Sequence, residues 1–123
     1  MNTRNRIHNC TNPYQGKAKK VLCVCSAGLL RSPTAANVLH REFGYNTRSA
    51  GVSSDYALVQ VDEVLLSWAD EVVCMESWQA QEVLGMIEEL DIEQQVIALN
   101  VPDRFEFMNE ELQAIIKEQY LEQ

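Results

Sequence analysis

Apolar residues cluster in short runs separated by longer amphipathic stretches. Lys20 to Val24 is a run of the kind buried in a parallel sheet. From Pro33 to Phe43 the spacing becomes helical, with Ala35, Val38, Leu39 and Phe43 on one face and Gly44 as the stop. Tyr45 to Ala50 reads as a second strand, and Ser53-Ser54-Asp55-Tyr56 as a turn. A helix follows with Val61, Val64, Leu65 and Trp68 on one stripe. Glu71 to Met75 is a third strand. A helix capped by Ser77 then turns Ala80, Val83, Leu84, Ile87 and Leu90 inward. Val96 to Leu99 is a fourth strand, Asn100 to Met108 a loop. Asn109, with Glu110 and Glu111, opens a last helix striped by Leu112, Ile115 and Ile116.

Strands alternating with helices over short connections predict an α/β fold: a parallel sheet, right-handed crossovers and helices on both faces. Such a sheet places ligands at the C-terminal ends of its strands. Two stretches reach that edge: the residues after Val24, and the loop after the fourth strand.

The first stretch carries the chemistry. Cys25-Ser26-Ala27-Gly28-Leu29-Leu30-Arg31-Ser32-Pro33 follows a strand and leads into a helix. Of the four cysteines, only Cys25 has an arginine six positions on. Phosphoryl transfer to sulfur needs a thiolate, whereas a free cysteine, with a pKa of about 8.5, is mostly protonated at neutral pH. A helix N-terminus, convergent backbone N–H groups and a fixed cation all favour the anion, and they also bind the oxygens of a phosphate. Ser26, Ala27 and Gly28 are small enough for the backbone to close on an oxyanion. Arg31 offers a planar fork that lysine lacks. Ser32 suits the N-cap and Pro33 the first helical position. The Ser32 hydroxyl is near enough in sequence to donate to Cys25.

This stretch resembles the phosphate-binding loop of the low-molecular-weight protein tyrosine phosphatases, and is nearer their short bacterial-type members. Arg48-Ser49-Ala50-Gly51 and Val101-Pro102-Asp103-Arg104-Phe105, running into Phe107-Met108, add to the resemblance, which spans residues 20 to 121. It implies a flavodoxin-like three-layer sandwich built on four parallel strands. It implies Cys25 as nucleophile, Arg31 as phosphate ligand, Ser32 as stabiliser of the thiolate and Asp103 as general acid. The phosphate would be held by residues Ser26, Ala27, Gly28, Leu29, Leu30, Arg31 and Ser32. The resemblance also suggests that Ser49 braces the loop, against the plainer reading of a serine at a strand end. The sequence departs from the family pattern in three places. Gly28 stands where the family often has Asn, Leu30 where it often has a second cysteine, and the proline near Asp103 precedes it. Asp103 is therefore either the acid or part of a Pro-initiated turn. Phe105, Phe107 and Tyr56 either wall an aromatic cleft or pack in the core. Trp68 is assigned to the core.

Composition narrows the picture further. A chain of 123 residues with 46% apolar content is one domain: residues 1–19 as a basic extension, 20–123 as the phosphatase-like unit. Met1 to Lys20 lacks the apolar region of a signal peptide, and no apolar run reaches transmembrane length, so no membrane role is expected. Four cysteines without framework spacing fit a reducing cytoplasm. Cys23-Val24-Cys25 is expected to put two thiols on opposite faces of the strand, a poor disulfide geometry. The net charge of −8 argues against a nucleic-acid binder. The charge is divided: before Gly51 eight bases face only Glu42, and after it only Arg104 and Lys117 are basic. The half with the anion loop is positive, through either a basic tail or steering of anionic substrates. No metal-ligand spacing is present, His8 and His40 read as surface residues, and no cofactor is called for.

The expected activity is hydrolysis of a phosphorylated protein or small phosphoester, as by a cysteine-dependent tyrosine phosphatase. An arsenate reductase of the same fold, with Cys74 as a resolving thiol, is one alternative. A phosphate-binding module without turnover is another. A phosphocysteine carrier of sugar transport also resembles Cys-Ser-Ala-Gly, but such carriers lack the arginine.

Overall fold

The computed structural model describes residues 18–26, 30–53 and 59–123. The N-terminal extension up to residue 17, the central loop residues Ala27, Gly28 and Leu29, and Ser54, Asp55 and Tyr56 of the expected turn lie outside them.

Four strands, β1 (Lys20–Cys25), β2 (Asn46–Gly51), β3 (Glu71–Cys74) and β4 (Gln95–Ala98), form a parallel sheet in the order β2-β1-β3-β4. Between and after them run helices α1 (Arg31–Phe43), α2 (Glu63–Trp68), α3 (Ser77–Leu90) and α4 (Glu110–Leu121). The parallel α/β architecture expected from the strand–helix alternation is present. In β1 the register pairs Cys25 with Gly51 and Val24 with both Ala50 and Cys74, so β1 is covered on both edges.

Alternation along the strands divides the core into two layers. Val21, Cys23 and Cys25 face α1 and α4, and pack with Ala35, Val38, Leu39, Leu112 and Ile116. Leu22, Val24, Val72 and Cys74 face α2 and α3, and pack with Leu65, Leu66, Val83 and Ile87. Helices thus lie on both faces. The divergent placement expected of Cys23 and Cys25 is corrected: residues two apart on a strand share a face, and both thiols lie on the α1/α4 side.

Helix termini account for most other departures. Gly44 closes α1 at φ 71°, its N–H bonding the His40 carbonyl, a left-handed cap that glycine adopts without strain. Asn109 caps α4 through the Leu112 N–H as expected. Helix α1 starts at Arg31 rather than Pro33, so Ser32 is not its cap. Glu76 rather than Ser77 caps α3, in a capping box with Gln79. The buried Gln79 then takes an inward place expected of Leu84, which is 43% exposed. In α2 the inward pair is Leu65 and Leu66, and Val64 stands 70% exposed, because the helix begins only after the Asp62 cap. Trp68 packs against the second core layer, and the Arg48 guanidinium lies 4.5 Å from its ring.

At the N-terminal edge of the sheet, Glu71 is buried and fully engaged. One carboxylate oxygen accepts from Tyr120 Oη at 2.8 Å and the other from Lys19 Nζ at 2.9 Å. Phe43, Tyr45 and Tyr120 cluster beside it with ring centroids 5.4–6.3 Å apart.

Candidate functional site

The opposite, C-terminal edge gathers the residues singled out for chemistry. Cys25 ends β1 and is buried. Its carbonyl accepts from Val52 N–H, and the Ser26 carbonyl from Ser53 N–H at 2.8 Å, so the chain beyond β2 pins the start of the loop. The loop returns at Leu30, and Arg31 begins α1, whose first turn points toward the end of β1.

Cys25 Sγ lies 3.2 Å from Ser32 Oγ, and that hydroxyl is 3.4 Å from the Ala50 carbonyl. The proton count is informative. While sulfur holds its proton, Sγ–H donates to Oγ and the serine proton goes to Ala50. Once sulfur is an anion it has nothing to donate, and the serine proton turns to it, releasing only the long bond to Ala50. Ser32 therefore serves the sulfur rather than the helix end.

Arg31 is 1% exposed, and each end of its guanidinium has a different neighbour. Nη1 donates to Glu76 Oε2 at 2.9 Å and to the Val101 carbonyl at 2.8 Å. Nε lies 3.6 Å from Asp103 Oδ1. The Nε side of the guanidinium thus faces away from Glu76, toward Asp103. A nearly buried cation needs a compensating charge. Glu76 supplies it from the end of the neighbouring strand. Burial pushes the Glu76 carboxyl up, but the hydrogen bonds from Arg31 and Trp78 and the Arg31 charge outweigh it and hold the pKa below the usual carboxylate value.

The segment after β4 reaches the site because it keeps following β3: Leu99 N–H bonds Cys74 O and Val101 N–H bonds Met75 O. This carries Val101 to Arg31 and leaves Asp103, 62% exposed, beside the guanidinium. Met108 N–H then bonds Thr34 Oγ1 in the first turn of α1. Phe105 is buried in the α1/α4 core layer, whereas Phe107 is 46% exposed. Of the expected phosphate ligands, Ser26, Leu30, Arg31 and Ser32 lie at this edge; Ala27, Gly28 and Leu29 fall outside the described residues.

Ser49 faces the same side of the sheet as Cys23, its register partner, and is 3% exposed. Its hydroxyl is buried with no hydrogen-bond partner. The side-chain amide that often stands at the Gly28 position in the resembled family is missing from this sequence.

Cys74, the thiol considered for a redox role, lies on the α2/α3 side of the sheet, across from Cys25. Burial pushes its thiol up to about 12. His40 has its Nδ1 2.8 Å from the Tyr45 carbonyl, away from the site. Among the described residues no group of three or more His, Cys, Asp or Glu side chains is arranged to hold a metal ion. No helix there is long and apolar enough to cross a membrane.

Glu76 was not singled out by its sequence. The signal was available: an acid directly after a strand predicted to end at the same edge as the arginine.

No protein-family model and no curated protein sequence matches the chain. Solved structures do. The YwlE arginine phosphatase from Geobacillus stearothermophilus superposes with a TM-score of 0.61 at 20% identity, over 84% of this chain and 86% of that one. A YwlE mutant from Bacillus subtilis superposes with a TM-score of 0.60 at 21% identity, over 86% of this chain and 100% of that one. The chain therefore has the fold of these bacterial low-molecular-weight phosphatase-like proteins, as the loop resemblance implied.

Proposed function

We propose that this protein is a phosphomonoester hydrolase of the low-molecular-weight protein tyrosine phosphatase family, working through a phosphocysteine on Cys25. The observation that supports it most is the pairing of Cys25 with Ser32 at the sheet edge that also gathers a nearly buried Arg31 and Asp103.

In this reading the amides of residues 26–32 and the Arg31 fork hold three phosphate oxygens. The Cys25 thiolate attacks phosphorus as the P–O bond to the leaving group breaks, and Asp103 gives its proton to the departing oxygen. Water then attacks phosphorus, Asp103 takes its proton, and the S–P bond breaks to release inorganic phosphate and the thiolate. Ser32 donates to the sulfur whenever it is anionic, before attack and after release. Substrates are a phosphorylated protein or a small phosphoester, met in the cytoplasm.

A second reading of the substrate comes from the two YwlE proteins, one of them an arginine phosphatase. The same machinery serves there, with Asp103 protonating a leaving nitrogen. An arsenate reductase is not favoured: Cys74 lies on the other side of the sheet with its thiol held protonated.

The test is hydrolysis of a small aryl phosphate, with Cys25→Ser and Asp103→Asn alongside. Turnover abolished by the first and slowed by the second supports the hydrolase. Phosphate binding without turnover in the wild type leaves a binding module and overturns it. A phosphoarginine peptide hydrolysed faster than a phosphotyrosine peptide selects the second substrate reading.

A further inference from the structure

Two distant segments meet at this edge through one hydroxyl. Thr34, in the first turn of α1, is fully buried. Its Oγ1 donates to the Leu30 carbonyl at 2.7 Å and accepts from Met108 N–H at 2.9 Å. The donated bond is ordinary, since a threonine in a helix commonly bonds the carbonyl four residues back. The accepted bond is not, because Met108 lies 74 positions away. Leu30 closes the stretch that opens at Cys25, and Met108 closes the loop that carries Asp103. One oxygen therefore ties the loop with the nucleophile to the loop with the acid.

Met108 is also held in an uncommon backbone conformation. Its φ is 62°, in the left-handed region that residues with a Cβ rarely adopt. Its carbonyl accepts from Gln113 Nε2 at 2.7 Å, so α1 and α4 grip the two sides of one residue. Such a conformation persists where the surroundings fix it. The acid segment is thus pinned at Val101 by Arg31 and Met75, at Phe105 by burial, and at Met108 by Thr34 and Gln113. Asp103 itself is exposed, so the backbone of this segment decides where its carboxyl stands.

We propose that Thr34 is a positioning residue for proton transfer. Its hydroxyl fixes the Asp103 segment against the helix that carries Arg31, so that the acid meets the leaving group of a phosphate held at Cys25. The inference rests on the hydrolase reading and on Asp103 as its acid. Without the hydroxyl, Met108 can leave its left-handed conformation and the segment can shift, and a displacement of about 1 Å at a reacting group costs up to about a hundredfold in rate.

The experiment measures kcat/KM of the full chain for phenyl phosphate, whose leaving group needs a proton, and for dinitrophenyl phosphate, whose leaving group does not. Wild type, Thr34→Val, Thr34→Ser and Asp103→Asn are compared. Thr34→Val keeps the shape and loses the hydroxyl. It should lower phenyl phosphate hydrolysis about tenfold and dinitrophenyl phosphate hydrolysis less than about threefold. Thr34→Ser restores the hydroxyl and should stay near wild type on both. Asp103→Asn should show the same split, enlarged. An equal fall on both esters in Thr34→Val overturns the inference, because Thr34 then supports the fold or the anion loop alone. So does no change on either. If Asp103→Asn splits the esters and Thr34→Val does not, the inference fails and the acid assignment stands. If Asp103→Asn shows no split, the acid assignment fails and the inference with it. If the wild type hydrolyses neither ester, the hydrolase reading itself fails. Should Thr34→Val not fold, Gln113→Met releases Met108 from the α4 side and must give the split in smaller degree.

Discussion

Arg31, the first residue of α1, and Glu76, just beyond β3, stand 45 positions apart in the chain and are joined at 2.9 Å, Nη1 to Oε2. The acid orients the base: with Nη1 held by Glu76 and by the Val101 carbonyl, the guanidinium plane is fixed and its other edge turns to the site.

Glu76→Gln keeps a hydrogen-bond acceptor and removes the charge. It should weaken phosphate binding by about tenfold, with a stability loss near 1 kcal/mol, since Glu76 is a third exposed and solvent screens the pair. The pH dependence has a definite sign. The Glu76 pKa is lowered in the fold, so its contribution is complete above the ordinary carboxylate value and is lost as pH falls through the lower folded value. Thermal melts from pH 6 down to 3 should show this acid loss in the wild type and less of it in Glu76→Gln.

Ser32→Ala removes a hydroxyl donor that lies 3.2 Å from the Cys25 sulfur. Turnover of an aryl phosphate should drop by about a hundred- to a thousandfold, the range for losing one preorganised donor to a reacting anion. Alkylation of Cys25 by iodoacetamide at pH 7 should slow in parallel. Slower turnover with unchanged alkylation would place the Ser32 hydroxyl elsewhere in the reaction.

Ser49→Ala tests a buried hydroxyl that bonds nothing. An unpaired buried polar group carries its desolvation cost, so removing it should leave stability unchanged or raise it by about 1 kcal/mol. Urea denaturation measures this. A loss of activity in a variant of undiminished stability would revive the loop-bracing role that the family resemblance suggests.

The repeating fold and the Cys25–Arg31 spacing were legible because both are local. Strand runs, helical stripes, the glycine stop at Gly44 and the cap at Asn109 are written in consecutive residues. The pairing of Glu76 with Arg31 was not legible, although the acid's place at the sheet edge was, because it comes from register: β3 pairs beside β1, and only that brings the residue after Met75 to Arg31. Ser32 does not cap the helix, and its hydroxyl lies 3.2 Å from the Cys25 sulfur instead. Leu84 broke its stripe where α3 was capped one residue before the expected Ser77, and Val64 where α2 began only after Asp62.

Tyr120→Phe should destabilise the fold by about 1–2 kcal/mol, because the hydroxyl donates to a buried carboxylate that then keeps only Lys19. Burial, followed by the hydrogen bonds to Glu71 and Tyr45, pushes the Tyr120 hydroxyl well above its ordinary value of 10.0. A raised pKa contributes stability that is complete below the unfolded value and is lost as pH rises toward the folded one. Wild-type stability should therefore fall above about pH 10, more steeply than that of Tyr120→Phe. Chemical denaturation at pH 8 and pH 11 reads the difference.

Cys74 and Cys25 are both buried, yet they should behave differently toward electrophiles. Burial pushes the Cys74 thiol up to about 12, so almost none is thiolate at neutral pH. Iodoacetamide at pH 7.5, followed by mass spectrometry of tryptic peptides, should modify Cys25 in the folded protein and leave Cys74 untouched until denaturant is added. Inorganic phosphate should protect Cys25 and change nothing at Cys74. Cys74→Ala should cost about 1 kcal/mol of core packing without lowering aryl phosphate turnover. A fall in turnover, or a disulfide linking Cys25 to Cys74 after treatment with arsenate, would replace hydrolysis with the reductase chemistry.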